Sequence, residues 1–376
     1  MLSVVLWYDV IIRKRKERHG MRLGCTKKLL EYLGVKPEKS MEPVETIFEW
    51  TANLIVVNRR KTLVVVHTAS RSIFVIHGLT AKVREKLPEL ILEGIRTLLQ
   101  SEYVRPEIIE RYLDECGQDV VFQANSSRSA VANCNKACER VQMFSELFEP
   151  GDLFQKSYLP WINDDIGKNG YVPKLLIDCL KERYGEDIQS CRALELEVEL
   201  KLRTPCKRRI IVPEDLNFYQ LHRVLQKAFE WHDCHLHQFV LPGKPVRILH
   251  PGSWEDEEAF EDSTQITLGE VFHACKLVGY EYDFGDGWEH IIRLKRVLED
   301  CAEPYPHCIQ AVGDAPMEDS GGPEGFAEIR MILQDPAHPA HNEISDWVRG
   351  VWWYPVDVSK INLRMKDAWR RCIPAY

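Results

Sequence analysis

A glycine-rich turn between carboxylates and a histidine is the part of this sequence best suited to chemistry. Gly285 and Gly287 allow a left-handed backbone and close approach of neighbouring groups, and they stand among Asp283, Asp286 and His290. A turn of this composition can bring two carboxylates and one imidazole together.

Two further imidazoles occupy alternate positions of a strand predicted over His235–Leu241. Because strand side chains alternate between faces, His235 and His237 would point the same way. If that face meets the turn, the combined imidazole and carboxylate groups suit a divalent metal ion. Such an ion lowers the pKa of bound water and can drive hydrolysis. The metal set predicted on this basis is His237, Asp283, Asp286 and His290.

Two other interpretations remain open. In the first, the aspartates cap amides of the turn, and the histidines donate to backbone carbonyls inside a polar core network. In the second, aromatic rings line a groove for a ligand or a peptide, and polar groups fix its orientation. The predicted lining of that groove is Trp231, Tyr282, Trp288 and Phe326. The candidate binding residues over all interpretations are His235, His237, Tyr282, Asp283, Asp286, Trp288, His290, Glu318 and Asp319.

The elements that must position these groups predict an α+β domain with a mixed sheet over residues 191–376. Leu194–Leu202 alternates apolar and charged residues, which is typical of a strand with one buried face. A helix over Leu216–Phe229 follows two acidic residues that suit its positive end. The acidic stretch Glu255–Asp262 is interpreted as a solvated loop. The other predicted elements are strands over Val246–Leu249, Tyr280–Asp283 and His290–Val297 and helices over Leu268–Ala274 and Glu324–Leu333.

Residues 21–190 predict a separate α+β domain that is rich in helix, because 376 residues exceed what one core usually supports. Thr26 is a predicted helix N-cap and Gly34 the matching C-terminal stop. Pro88 is expected to divide a long helical stretch. Gly185–Cys191 is the predicted linker between the two domains.

Charge and cysteine usage restrict the classes of function. Residues 191–376 carry 21 Lys and Arg against 31 Asp and Glu. This balance disfavours nucleic acid as a partner, because non-specific affinity for nucleic acid depends on cationic side chains. The twelve scattered cysteines indicate reduced thiols of a cytosolic protein. The chain has no P-loop, no GxSxG and no HExxH motif.

Residues 1–20 are predicted to be an extension without a fold. The apolar Met1–Ile12 precedes the basic Arg13–Arg18, which is the reverse of a secretory signal, and it is too short to span a bilayer. Lys16 and Glu17 can be encoded by AAGGAG, a purine-rich ribosome-binding sequence that would place the start at Met21. An amphipathic anchor is the alternative; we expect no membrane partner.

Three segments, Trp231–Phe239, Tyr280–His290 and Pro316–Phe326, resemble the plasmid pRiA4b ORF-3-like family in order and spacing. The family's counterparts are W-x-x-SHLHxF, YxYDFGDxWxH and PPEDxGGxxGY. The resemblance covers about residues 193–370. It implies an association with mobile elements, since some members are named as passenger proteins of insertion elements, and it implies no reaction.

This chain departs from the family at its cysteines. Many members carry cysteine where this sequence has Ala315 and Ser320, and Cys308 alone keeps its thiol. A thiolate-rich zinc site in relatives would therefore not be carried over. Residues 22–145 resemble an uncharacterised bacterial domain family, which adds no chemistry.

The sequence therefore favours a cytoplasmic, non-enzymatic binding or accessory protein with a polar and aromatic cleft in its C-terminal domain. Its partner would be a protein or a small-molecule ligand. The alternatives are a metal-dependent hydrolase, with a divalent ion as its cofactor, and a nucleic-acid-binding accessory protein.

Overall fold

The computed structural model describes residues 21–365 apart from 38–44, 118, 126, 165, 168–169, 242–246, 250–259, 352 and 354. The chain divides into two compact units, Met1–Ser190 and Cys191–Tyr376. Each unit combines its own sheet with helices, which confirms the α+β fold class. The predicted extension over residues 1–20 and most of the acidic stretch Glu255–Asp262 lie outside the described residues.

The N-terminal unit is built on a five-stranded sheet in the order β4-β3-β2-β1-β5. Its elements are β1 (Met21–Cys25), α1 (Lys27–Leu33), β2 (Glu49–Val57), β3 (Arg60–His67), β4 (Ile73–His77), α2 (Ala81–Glu85), α3 (Leu87–Ser101), α4 (Pro106–Cys116), β5 (Val120–Ala124), α5 (Arg128–Met143), α6 (Leu159–Asn163), β6 (Ile166–Gly167), β7 (Gly170–Tyr171) and α7 (Val172–Tyr184). Strand β1 runs parallel to β2 and β5, while β2, β3 and β4 pair antiparallel.

Local sequence signals set the ends of these elements. The Thr26 hydroxyl accepts a hydrogen bond from the first turn of α1, and Gly34 ends that helix with φ 69°. Pro88 lies in the first turn of α3, where the predicted helical stretch divides in two. Asn58 and Arg59 both adopt positive φ, which is the geometry of a two-residue hairpin turn between β2 and β3.

The C-terminal unit is built on an eight-stranded sheet in the order β12-β11-β10-β13-β14-β8-β9-β15. Its elements are β8 (Cys191–Leu200), β9 (Cys206–Pro213), α8 (Phe218–Ala228), β10 (His237–Val240), β11 (Arg247–Leu249), β12 (Phe260–Asp262), α9 (Leu268–Phe272), β13 (Leu277–Tyr282), β14 (Trp288–Cys301), β15 (His307–Val312), α10 (Gly322–Gln334), α11 (His341–Gly350) and α12 (Val358–Met365).

Alternate residues of strand β8 lie on the two faces of this sheet, one apolar and one charged. Its apolar residues, including Leu196 and Val198, are fully buried, and α8 covers the same face through Phe218, whose ring lies 4.9 Å from that of Phe239. On the other face, glutamates of β8 pair with arginines and lysines of β9 and β14. The alternation of apolar and charged residues therefore predicted β8 correctly.

The sequence patterns missed β9 and β15. Strand β9 turns Arg208 into the core, where the buried guanidinium donates to the carbonyl oxygens of Ala228 and Gly313. A buried cation disrupts the apolar alternation by which a strand is predicted. Strand β15 lies at the sheet edge and exposes Ile309 and Val312, so it lacks a regular pattern.

None of the described helices combines the length and the apolar character needed to cross a bilayer.

Candidate functional site

Three chain segments that are distant in sequence meet at one end of the C-terminal sheet. The first follows α8, the second is the turn between β13 and β14, and the third precedes α10. The Trp231 indole donates to the carbonyl of Pro316 at 2.9 Å, and the His232 amide donates to the Glu318 carboxylate at 3.1 Å. These are the three segments that carry the family resemblance.

Tyr282 is the hub of this junction. Its hydroxyl accepts a hydrogen bond from the amide of Cys234 at 3.0 Å and donates one to the Glu318 carboxylate. Burial, followed by the bond to Glu318, raises the pKa of Tyr282 well above its usual range. The phenol therefore stays protonated and joins all three segments through one oxygen atom.

The turn itself is held by Asp283. Its Oδ1 atom accepts from the amides of Gly285 at 3.0 Å and Asp286 at 3.3 Å, and its backbone adopts φ 56°. This geometry matches the turn-capping interpretation of Asp283. The second carboxylate oxygen, Oδ2, points to another group, the imidazole of His235.

Asp286 and Gly322 bring the third segment onto the turn. The Asp286 carboxylate accepts from the amide of Gly321 at 3.1 Å. A Cβ atom on Gly322 would lie 2.5 Å from the Asp286 carbonyl oxygen, and Gly322 has φ 70°. Only glycine accommodates both the contact and the backbone conformation without strain.

His235, Asp283 and Asp319 form a cluster at the rim of the junction. The His235 Nε2 atom lies 3.6 Å from Asp283 Oδ2 and 3.3 Å from Asp319 Oδ1. Asp283 is buried, whereas the Asp319 side chain is exposed. The three ligand-type atoms all lie within 4.8 Å of one another.

His237 belongs to a second, buried cluster. Its ring stacks on that of His222 with centroids 3.4 Å apart and planes within 5°. His222 bonds Asp233 at 2.6 Å through Nε2 and the Tyr280 hydroxyl at 2.9 Å through Nδ1. Burial raises the pKa of Tyr280 well above its usual range, so this phenol stays neutral.

His290 is a core histidine. Its Nδ1 atom donates to the carbonyl oxygens of Trp288 at 3.0 Å and Tyr280 at 3.3 Å. Burial lowers the pKa of His290 to about 3, so the ring is neutral at physiological pH. The histidine thus serves the polar core that the first alternative interpretation described.

The predicted metal set is not assembled. The strand begins at His237 rather than His235, because the chain turns ahead of it through Asp233, which has φ 64°. His237 consequently joins the buried cluster, and Asp283 joins the rim cluster. Among the described residues, Asp286 and His290 belong to neither group of three potential ligands. The sequence could place these residues near one sheet end but could not assign their partners.

The predicted aromatic groove is also rearranged. Trp231, Tyr282, Trp288 and Phe326 are all 2% exposed or less and belong to the core. A pocket of about 820 Å³ opens beside them instead. Its lining combines charged and aromatic groups with loop residues, among them Lys227, Trp231, His232, Glu318, Asp319, Trp353 and Arg364.

Lys227 places a positive charge in the wall of the pocket. Arg364 in the same wall pairs with Glu230, and the nearby Arg223 pairs with Asp233. In the part of the chain that the structure describes, no carboxylate lies within ion-pair distance of the half-buried Lys227 ammonium. Burial, with the neighbouring Arg223 cation, lowers the pKa of Lys227.

Comparison with known proteins places these features in a family. Residues 192–362 match the family described as plasmid pRiA4b ORF-3-like protein, and residues 22–173 match a domain of unknown function, DUF6933. Uncharacterized protein y4hQ of Sinorhizobium fredii (strain NBRC 101917 / NGR234) is 36% identical over 143 residues, which cover 37% of this chain and 72% of y4hQ. The chain belongs to the plasmid pRiA4b ORF-3-like family.

A solved structure is also similar to part of the chain. It is the protein of unknown function MM3350 from Methanosarcina mazei Go1, with 29% identity, coverage of 45% of this chain and 96% of that protein, and a TM-score of 0.40. The printed names of y4hQ and MM3350 state no activity. Both parts of the resemblance predicted from the sequence are thus confirmed.

The junction of this pRiA4b ORF-3-like protein closes with Ala315 and Ser320 at the two positions where the resemblance implied cysteine. Ser320 is buried and donates to the carbonyl oxygen of Met317 at 2.7 Å. Ala315 is buried, and its carbonyl accepts from the Trp353 indole at 2.7 Å. The thiol of Cys308 lies in the core and donates to the carbonyl of Gln310 at 3.2 Å. Hydrogen bonds therefore hold this segment of the junction.

Sequence reasoning missed His222, Asp233 and Lys227. A signal existed for His222, because an imidazole on the apolar stripe of α8 indicates a buried polar partner. Asp233 lies within a recognised segment but was not singled out as a ligand. Lys227 carried no signal, since a lysine near a helix end is ordinarily solvated.

Proposed function

We propose that the C-terminal unit is a binding module that holds an anionic group of a ligand in the pocket beside Trp231. The observation that carries this proposal is the half-buried Lys227 ammonium in the pocket wall, with no carboxylate of the described residues in ion-pair contact. A desolvated cation is stabilised by an opposite charge. A carboxylate or phosphate of the ligand would supply it.

The lining sets the chemistry of the rest of the ligand. Trp353 offers an aromatic surface, and Glu318 and Asp319 in the same lining offer hydrogen-bond acceptors. A pocket of this mixed character fits a small polar molecule with an aromatic or apolar body, or an acidic segment of a partner protein.

A binding role is favoured over metal-dependent hydrolysis because the residues of the predicted metal set do not come together. Those residues divide between two clusters and the core, so they do not form one centre. Nucleic acid is disfavoured by the acidic balance of residues 191–376. The word plasmid in the family description supports an accessory role with mobile DNA, and the unpaired cysteines among the described residues support a cytoplasmic location.

The test uses phenyl phosphate and benzoate as anionic probes and benzamide as a neutral one, measured against the full chain by saturation-transfer NMR and calorimetry. We expect both anions to bind and Lys227→Met to weaken them at least about tenfold, because the variant removes the charge that the anion pairs with. Lys201→Met is the matched control, since Lys201 is exposed and paired with Glu289 at 2.6 Å.

Two outcomes contradict the proposal. One is equal binding of benzamide and benzoate, which would mean that the anionic group contributes nothing. The other is equal weakening by Lys227→Met and Lys201→Met, which would mean that the probes sense only the net charge of the protein.

A further inference from the structure

We propose that His235, Asp283 and Asp319 form a binding site for a divalent transition-metal ion of the Zn²⁺ class. This site differs from the metal set predicted from the sequence, which contained neither His235 nor Asp319. It is also independent of Lys227, because the ion is tested without any organic ligand.

The distances fit shared coordination better than hydrogen bonding. Two ligands at about 2.1 Å from a tetrahedral ion lie about 3.4 Å from each other. The His235 Nε2 atom lies 3.3 Å from Asp319 Oδ1 and 3.6 Å from Asp283 Oδ2. A charge-assisted hydrogen bond between an imidazole and a carboxylate spans about 2.7–2.9 Å, and both contacts are longer than that.

The imidazole nitrogen supplies an independent observation. The His235 Nε2 atom is itself buried, and among the residues that the structure describes it has no hydrogen-bond partner. A buried polar atom without a partner costs free energy. A metal ion between the nitrogen and the two carboxylates would satisfy it.

Asp283 is prepared for this role. The residue is 8% exposed, and its Oδ1 atom is used by the amides of Gly285 and Asp286. These bonds fix the carboxylate so that Oδ2 faces the His235 ring. A carboxylate held by backbone amides is an oriented ligand that loses little further freedom on binding an ion.

Asp319 joins the metal cluster to the pocket and to solvent. Its side chain is exposed and lines the pocket beside Glu318, so an ion can enter from the solvent side. Neighbouring bonds hold its segment in place, in particular the one from Ser320 to Met317. Three protein ligands leave one position of a tetrahedral ion for water or for the anionic group of a ligand.

The ligand types select the ion. One imidazole nitrogen with two carboxylate oxygens suits Zn²⁺ and Mn²⁺. Ca²⁺ takes six to eight oxygen ligands and Mg²⁺ prefers an octahedral oxygen shell. We therefore expect Zn²⁺ to bind more tightly than Mn²⁺, and both to bind more tightly than Ca²⁺ or Mg²⁺.

The experiment strips the full chain with a chelator and titrates Zn²⁺ by calorimetry, with Mn²⁺ electron paramagnetic resonance as a second readout. We expect one ion per chain and losses in affinity of at least about tenfold in Asp283→Asn, His235→Gln and Asp319→Asn. Asp319→Asn changes an exposed side chain, so its effect is separable from misfolding. His273→Gln is the control, since the His273 imidazole is 43% exposed and pairs with the carboxylate of Glu214 at 2.9 Å, outside this cluster.

The proposal is overturned if Zn²⁺ does not bind in a one-to-one ratio. It is equally overturned if binding is retained in Asp319→Asn and Asp283→Asn but lost in Asp233→Asn, because the ion would then occupy the buried cluster of His222, Asp233 and His237. Zn²⁺ binding with no effect of Lys227→Met would leave this site intact whatever the fate of the anion pocket.

Discussion

The Tyr282 hydroxyl donates a hydrogen bond to Glu318 while it accepts one from the amide of Cys234. One phenol oxygen thus connects the end of β13 with the segment after α8 and the segment before α10. It joins the same three segments that the Trp231–Pro316 and Gly321–Asp286 hydrogen bonds hold together in pairs. Glu318 extends it by accepting from the amide of His232.

Tyr282→Phe removes the connection and is expected to lower the free energy of unfolding by about 1–3 kcal/mol, because the part-buried amide of Cys234 and one carboxylate oxygen of Glu318 lose their partner. Urea unfolding of the full chain measures the change, with each variant followed in the transition of the unit that carries it. The control is Tyr32→Phe, whose hydroxyl makes a long contact of 3.4 Å with Leu79 and should cost less than about 0.5 kcal/mol. Equal effects of the two variants would contradict the role of Tyr282.

Gly322→Ala should destabilise the junction more than Gly287→Ala. Both glycines have positive φ, which costs an L-residue about 1–2 kcal/mol. At Gly287 the added methyl meets open space, whereas at Gly322 it would lie 2.5 Å from the Asp286 carbonyl oxygen. The difference between the two variants in chemical denaturation therefore isolates the steric cost of docking. No difference would mean that the segment moves aside freely.

The sequence predicted which segments carry the site but not how their side chains pair. The turn at Asp283 could be anticipated because its bonds are local, joining residues within three positions of one another. The association of His237 with His222 could not, because it depends on where α8 crosses the sheet. Spacing along a strand gives a face, and the helix that covers that face is set by tertiary packing.

The same limit explains the missing metal set. The strand prediction over His235–Leu241 placed two histidines on one face, but the positive φ of Asp233 and the bond from Cys234 to Tyr282 delay the strand until His237. The predicted strand starts two residues too early, so His235 was expected in the sheet although it lies at the rim of the junction. The fold class was robust to that error, since the alternation in β8 extends over many residues.

His290 makes stability depend on pH in a defined window. Burial lowers its pKa to about 3 in the folded chain, while an unfolded histidine titrates near 6.5. Below pH about 6.5 the unfolded chain binds a proton at this histidine and the folded chain does not. The contribution of neutral His290 to the free energy of unfolding is therefore fully present above that pH and is lost as the pH drops toward 3. The slope is at most about 1.4 kcal/mol per pH unit.

The slope of unfolding free energy against pH between 6.5 and 4 should be smaller by about one proton in His290→Gln than in the unmodified chain. His338→Gln is the control, because this histidine lies on the surface. The free energy of unfolding of His290→Gln is also expected to fall, and its slope against pH is the quantity that reports the pKa of His290. An unchanged slope would show that His290 is protonated in the folded chain.

The outer face of the sheet offers a test of burial against charge pairing. Glu195 and Glu197 lie two positions apart on β8, and both face cations. The Glu195 side chain is fully buried between Arg209 and Arg296, while that of Glu197 is 27% exposed and lies 3.5 Å from Lys295. Glu195→Gln should cost about 1.5–3 kcal/mol, because the buried side chain loses its charge-assisted hydrogen bonds to two arginines.

Glu197→Gln should cost at most about 1 kcal/mol, because water and salt screen its ion pair. The two variants make the same Glu→Gln change on the same face of β8. The difference between their unfolding free energies therefore reports the difference in burial. High salt should reduce the effect of Glu197→Gln and leave most of the effect of Glu195→Gln, since buried pairs are screened less. Equal costs of the two variants with equal salt dependence would mean that water reaches Glu195 in the folded chain. The ion pairs of Glu195 would then contribute no more to stability than the exposed pair of Glu197.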